Sequence, residues 1–150
     1  MKNVFDPNVA NELVERIKNL KPETPKKWGI MNAAAMLAHC NVTYETIYEN
    51  KHTKPTGFKK LILKTFVKPS VINVKPYRKN SLSAPHFIIS EVREFDAERK
   101  RLIDFIEKTQ QLGTIHFHEK ESHSLGPLSE DEWNNLLYKH LDHHLNQFGV

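Results

Sequence analysis

Hydrophobic positions recur at helical spacing in four segments of this chain. Asp6-Pro7 reads as an N-cap with proline at the first helical position. Ala10, Leu13, Val14, Ile17 and Leu20 then mark one face of a helix that Pro22 and Pro25 end. Asn32 supplies the cap of a second helix that reaches about Glu49. A third runs from about Arg93 to Leu112, with Phe95, Leu102, Ile103 and Ile106 inward and Gly113 as its stop. The fourth, from Ser129 to Val150, opens with Ser129 and Glu132 in capping-box spacing, and three acids follow the cap where the helix dipole favours them. The pattern predicts an all-α fold, a four-helix bundle with a long crossover between helices two and three.

Periodicity also places the chemistry. At about 100° per residue, Trp133, Leu136, Leu137, Phe148, His144 and Gln147 surround His140 on the apolar arc of the last helix. Asn135, Tyr138, Lys139, Asp142 and Asn146 take the opposite side, and His143 lies on the edge. Histidine on an apolar face needs a partner, and the i, i+4 spacing of His140 and His144 lets both imidazoles point at one atom. The second helix carries a third inward histidine, His39, among Ala35, Met36, Val42, Thr43, Thr46 and Ile47. His39, His140 and His144 together form a candidate divalent-metal set, and the 60° offset of His143 leaves it out, by the ~100° rule. Cys40 points away from His39 and reads as a small buried thiol.

From Asn50 to Ser90 there is no acidic residue, whereas Lys51, Lys54, Lys59, Lys60, Lys64, Lys68, Lys75, Arg78 and Lys79 are all basic. Phe58, Leu61, Ile62 and Phe66 share one side of a short amphipathic helix within that stretch. An anion-facing patch is one reading of it. The favoured reading is a solvated crossover packed on the bundle by its apolar side, with no nucleic acid and no membrane as partner. Beyond Gly113, His116 and His118 are expected to share one side of an extended piece, and His123 to come nearest a pocket rim.

Composition adds little that is unusual. With 150 residues, 39% hydrophobic and 27% charged, the chain is expected to be a single domain over residues 1–150. The absence of an apolar leader and the lone Cys40 suggest a cytoplasmic protein without an internal disulfide.

The stretches WGIMNAAAMLAHC and HSLGPLSEDEWNNLLYKHLDHHLNQFGV, with His140-x-x-x-His144-x-x-Gln147 inside the second, resemble the DinB-like superfamily of metal-binding four-helix bundles, in particular a bacterial branch of undefined function. The resemblance covers essentially the whole chain. It implies zinc or nickel on His39, His140 and His144. It also brings in relatives that are thiol S-transferases using low-molecular-weight thiols. Leu145-Asn146 stands where many members carry Arg-Gly, while Gln147 keeps its place.

Three neutral imidazoles leave at least one metal position open, as catalytic zinc sites do. Such a site would make water or a thiol a nucleophile at neutral pH for attack on a small-molecule substrate. Gln147 is the candidate catalytic residue, placed to orient substrate or a bound ligand. No acid shares the inward arcs, which favours thiol transfer over hydrolysis. Metal affinity is expected to fall as pH drops through the free imidazole pKa of about 6.5. The alternative is a non-catalytic metal-stabilised bundle or a stress-response binding module, and a homodimer is left open.

Overall fold

The computed structural model describes residues 1–49 and 51–150 and is mostly helical. In chain order the elements are α1 (Pro7–Lys18), α2 (Ala33–Tyr48), α3 (Gly57–Ile62), a π-helical turn (Leu63–Val67), α4 (Lys68–Ile72), a 3-10 turn (Pro85–Phe87), α5 (Phe95–Phe117), β1 (Lys120–Ser122), β2 (Gly126–Leu128) and α6 (Glu130–Phe148). Asn50, which opens the acid-free stretch, lies outside the described residues.

Local chemistry sets the long helices. Asp6 caps α1 by accepting from the Asn8 backbone N–H, and Asn32 caps α2 by accepting from Ala35 at 2.8 Å. Ser129 and Glu132 form the reciprocal capping box of α6. Gly149 ends that helix in the left-handed region, where glycine has no side chain to clash.

Residues from α1, α2, α5 and α6 share one hydrophobic core, to which the β1–β2 hairpin adds Leu125 and Leu128. The inner face expected of α1 is buried, including Leu20 just beyond its end. Helix α2 packs chiefly on α5 and has no solvent side through its middle: Met36 to Tyr44 are all buried. Its single predicted stripe is thus too narrow a description. Asn41, on the far side from His39, is fully buried and donates to the Glu98 side chain at 2.7 Å. Arg16 ties α1 to the end of α6 through Asp142, Asn146 and the Val150 carbonyl.

Four expectations need correction. Gly113 does not stop α5. It adopts φ 67° and ψ −178°, breaking the helical geometry, and the chain then resumes helix to Phe117. His116 therefore lies in the last turn of α5 and His118 caps it, so neither sits on a strand; the extended piece is the short antiparallel hairpin that follows.

Lys139, assigned to the solvent side of α6, is buried. Its ammonium donates to the carbonyl oxygens of Ser70 and Asn73 at 2.8 and 2.7 Å and to Asn73 Oδ1 at 3.2 Å. The crossover, through α4, covers that face of α6. Burial pulls the Lys139 amine down to about 8, and the three oxygens make its position tolerable.

The apolar side of the crossover is not packed on the helices either. Phe58, Leu61, Ile62 and Phe66 are exposed, while Leu63, Val71 and Ile72 make the contact with the core. No helix among the described residues is long and apolar enough to cross a membrane.

Candidate metal centre

Helix α2 presents His39 and α6 presents His140 and His144 to one point. One ring nitrogen from each lies within 4.8 Å of the other two, the one such cluster of histidine, cysteine and acidic side chains among the described residues. The Nε2 atoms of His39 and His140 are 3.1 Å apart. The three rings contact one another with centroids 4.5 to 5.0 Å apart. His39 and His144 are buried, and His140 retains some exposure.

The outer hydrogen bonds decide which nitrogen is available. His39 Nδ1 lies 2.9 Å from the Phe87 carbonyl oxygen, which can only accept. His39 therefore carries its proton on Nδ1 and turns the Nε2 lone pair inward. Gln147 Nε2 donates to the Trp28 carbonyl at 2.8 Å, which fixes Gln147 Oε1 as the end facing His144 Nδ1 at 2.9 Å. His144 is thus also protonated on Nδ1. His140 Nδ1 lies 3.0 Å from Thr43 Oγ1, a hydroxyl able to donate or accept.

Two arrangements satisfy this network. With Thr43 accepting, all three Nε2 lone pairs converge, an arrangement that a cation between them satisfies. With Thr43 donating, His140 holds its proton on Nε2 and gives it to His39. The first is the outer-shell pattern of histidine-bound metals, in which each ligand's second nitrogen donates to a fixed acceptor. The residues present therefore fit a divalent ion such as zinc, which binds imidazole at about 2.0–2.1 Å.

Electrostatics agree with neutral ligands. Desolvation is the largest cause in every case. It pulls His144 down to about 3, His140 well below its ordinary range and His39 down more modestly, with the Phe87 carbonyl opposing the last. Mutual repulsion among the imidazoles adds to the first two.

The loop before α2 is locked to the site from both sides. Lys27 N–H donates to the Gln147 carbonyl at 2.7 Å, alongside the Trp28–Gln147 bond. Gly29, at φ 80°, sits where a Cβ would collide with Gln147 Nε2. Phe87 serves the site twice: its carbonyl orients His39, and its ring lies 5.2 Å from His39 and 5.8 Å from His140.

His143 stays outside the three-histidine cluster, half-buried, with its ring against Trp28 and Tyr77, each 5.8 Å away. Cys40 is buried and its sulfur lies 3.8 Å from Met36 Sδ; burial pushes its thiol pKa far up. His116 pairs with Lys120, and His118 with Glu130, both at the surface. His123 binds the His52 carbonyl at 3.1 Å and lies 6.4 Å from the ring of His86, which is itself tilted against Phe87 at 4.5 Å. Sequence reasoning missed Phe87 and the histidines His52 and His86. The Pro85-His86-Phe87 turn carries no periodic signal, so nothing local announced that it returns to α2.

Fold and site together describe a mostly helical protein with a histidine cluster able to hold a metal ion. The family described as "Protein of unknown function (DUF1569)" matches residues 5–149, and the chain belongs to it. No match was found among curated proteins or among solved structures.

Proposed function

We propose that this chain is a DinB-like four-helix-bundle protein in which His39, His140 and His144 hold zinc or nickel at an open site that transfers a thiol to a small electrophile. The observation that carries the reading is the outward hydrogen bonding of Nδ1 on His39 and His144, which turns their Nε2 lone pairs inward. A divalent ion held there supplies the Lewis acidity that makes a thiol, or water, nucleophilic at neutral pH.

The protein's own groups orient and desolvate. Phe87, Thr43 and Gln147 each fix one imidazole, and Trp28 fixes Gln147 in turn. Gln147 is then a positioning residue, because both ends of its carboxamide are already engaged. No carboxylate joins the three imidazoles among the described residues. Without a fixed general base, a thiol is a better nucleophile here than water, since its proton leaves at lower cost.

One observation favours the non-catalytic reading, a metal-stabilised bundle. The Phe87 ring packs on both His39 and His140 and restricts approach to them. Elemental analysis of untagged protein, followed by turnover of a generic electrophile with a low-molecular-weight thiol, separates the two. Metal with turnover supports the transferase. Metal without turnover supports the stabilised bundle, and protein that binds neither zinc nor nickel removes both.

A further inference from the structure

The crossover between α2 and α5 presents an apolar stripe that nothing among the described residues covers. Phe58, Leu61 and Ile62 lie on successive turns of α3. The π-helical turn Leu63–Val67 widens the next turn, so that Phe66 and Val67 continue the same stripe. Phe58 is 77% exposed, Leu61 59% and Phe66 75%. Such a run on a folded domain marks an interaction surface. The segment is nonetheless anchored: Leu63, Val71 and Ile72 pack on the core, Lys60 pairs with Glu121, and Lys68 donates to the Pro127 carbonyl. The stripe is the free side of a fastened amphipathic helix.

Charge selects the occupant. Residues 51–90 contain no carboxylate, and Lys54, Lys59, Lys75 and Arg78 have no acidic partner among the described residues, while Lys64 lies against Gly126 and Lys79 over the Trp28 ring. A second copy docked through the same face would bring the cations of one segment against those of the other, with no acid in either segment to offset them. A nucleic acid would take the cations, but it has no use for the aliphatic Leu61 and Ile62 that separate the two phenylalanines. An anionic bilayer surface takes both: acyl chains receive the apolar stripe and phospholipid headgroups neutralise the lysines.

We propose that residues 57–79 dock the protein onto anionic phospholipid membranes, with α3 and the π-helical turn lying in the interfacial plane. The helices are too short and too polar to span, so the association is peripheral and salt-sensitive.

Co-sedimentation of the full chain with vesicles tests this. The protein is expected to partition onto phosphatidylglycerol–phosphatidylcholine vesicles, weakly onto pure phosphatidylcholine, and less at 300 mM than at 50 mM salt, a contrast of about 2.4-fold in screening length. Phe58→Ser with Phe66→Ser is expected to lower partitioning at least tenfold, and Lys59→Gln with Lys75→Gln about fivefold per charge removed. These side chains are exposed, so circular dichroism and the response to zinc should stay unchanged. Phe58→Trp should show blue-shifted emission on anionic vesicles. The proposal is overturned by absence of partitioning onto the anionic vesicles. It is equally overturned by a dimer in light scattering that the Phe58→Ser, Phe66→Ser variant dissolves, or by retention of a single-stranded oligonucleotide in preference to vesicles.

Discussion

Gln147 Oε1 stands 2.9 Å from His144 Nδ1, one turn along the same helix, while the other end of the carboxamide is held by the Trp28 carbonyl. The last turn of α6 therefore orients its own histidine, and the loop before α2 orients the residue that does so. Gln147→Leu keeps the volume and removes both bonds. It leaves His144 Nδ1–H and the Trp28 carbonyl unpaired, at about 1–3 kcal/mol for each buried group. Zinc affinity should fall about 10–100-fold, as for other outer-shell partners of ligating histidines. Competition titration against a chromophoric chelator measures this. Unchanged affinity would show that His144 does not depend on Gln147 for its tautomer.

The glycine beside that carboxamide makes a sharper comparison. Gly29 and Gly113 both have positive φ, but a Cβ at Gly29 would strike Gln147 Nε2 whereas a Cβ at Gly113 meets nothing. Gly113→Ala should lower stability by about 1–3 kcal/mol from backbone strain alone, because φ 67° with ψ −178° is a glycine region. Its zinc affinity should not change. Gly29→Ala should lose both stability and zinc affinity. Thermal melts with and without zinc separate the two, and equal zinc responses in both variants would refute the link from Gly29 to the site.

Lys139→Met tests the fastening of the crossover. The substitution keeps most of the apolar stem and removes the ammonium that binds Ser70 and Asn73. Three oxygens then lose their donor, so stability should drop by about 1–3 kcal/mol. Residues 51–79 should become more sensitive to limited proteolysis before α6 does. Wild-type cleavage kinetics in the variant would mean that Val71 and Ile72 alone hold the segment.

Much of this was legible in the residues. The cap and first turn of α6 follow from Ser129 and Glu132, and the 3.6-residue period put His39, His140 and His144 on inward faces. Periodicity reports which residues share a face, not what covers it. Lys139 does lie away from His140 on α6, yet that face is closed by α4, an element seventy residues earlier in the chain. The converse holds for Phe58 and Phe66, whose amphipathic spacing announced a packed face that no element reaches. The acceptors of the site were hidden for the same reason: the Phe87 and Trp28 carbonyls belong to irregular segments, whose paths depend on tertiary packing rather than local pattern.

The pH dependence of the site follows from burial rather than from the free imidazole. In the unfolded chain His39, His140 and His144 each titrate near 6.5. In the folded protein all three are lowered, His144 to about 3. Between those values the unfolded chain protonates His144 and the folded chain does not, and His140 and His39 shift the balance in the same direction. Stability of the metal-free protein therefore falls as pH drops below 6.5, by up to about 1.4 kcal/mol per pH unit for each imidazole kept neutral. His144 stays deprotonated through most of that window, and His140 and His39 are shifted in the same direction. Metal affinity should accordingly persist well below pH 6.5, unlike the behaviour expected from unperturbed histidines. An ion that binds only the folded form raises stability by about 2.7 kcal/mol at one hundred times its Kd. Metal-free protein should thus melt at lower temperature at pH 5.5 than at pH 7.5, yet gain a similar increment from added zinc at both. His39→Ala or His144→Ala should abolish the increment at either pH. A zinc response present at pH 7.5 and gone at pH 5.5 would show that at least one ligand imidazole titrates near its ordinary value, and the desolvation assigned to that ligand would be wrong. No response at either pH would leave the histidines bonded to one another, with Thr43 donating to His140.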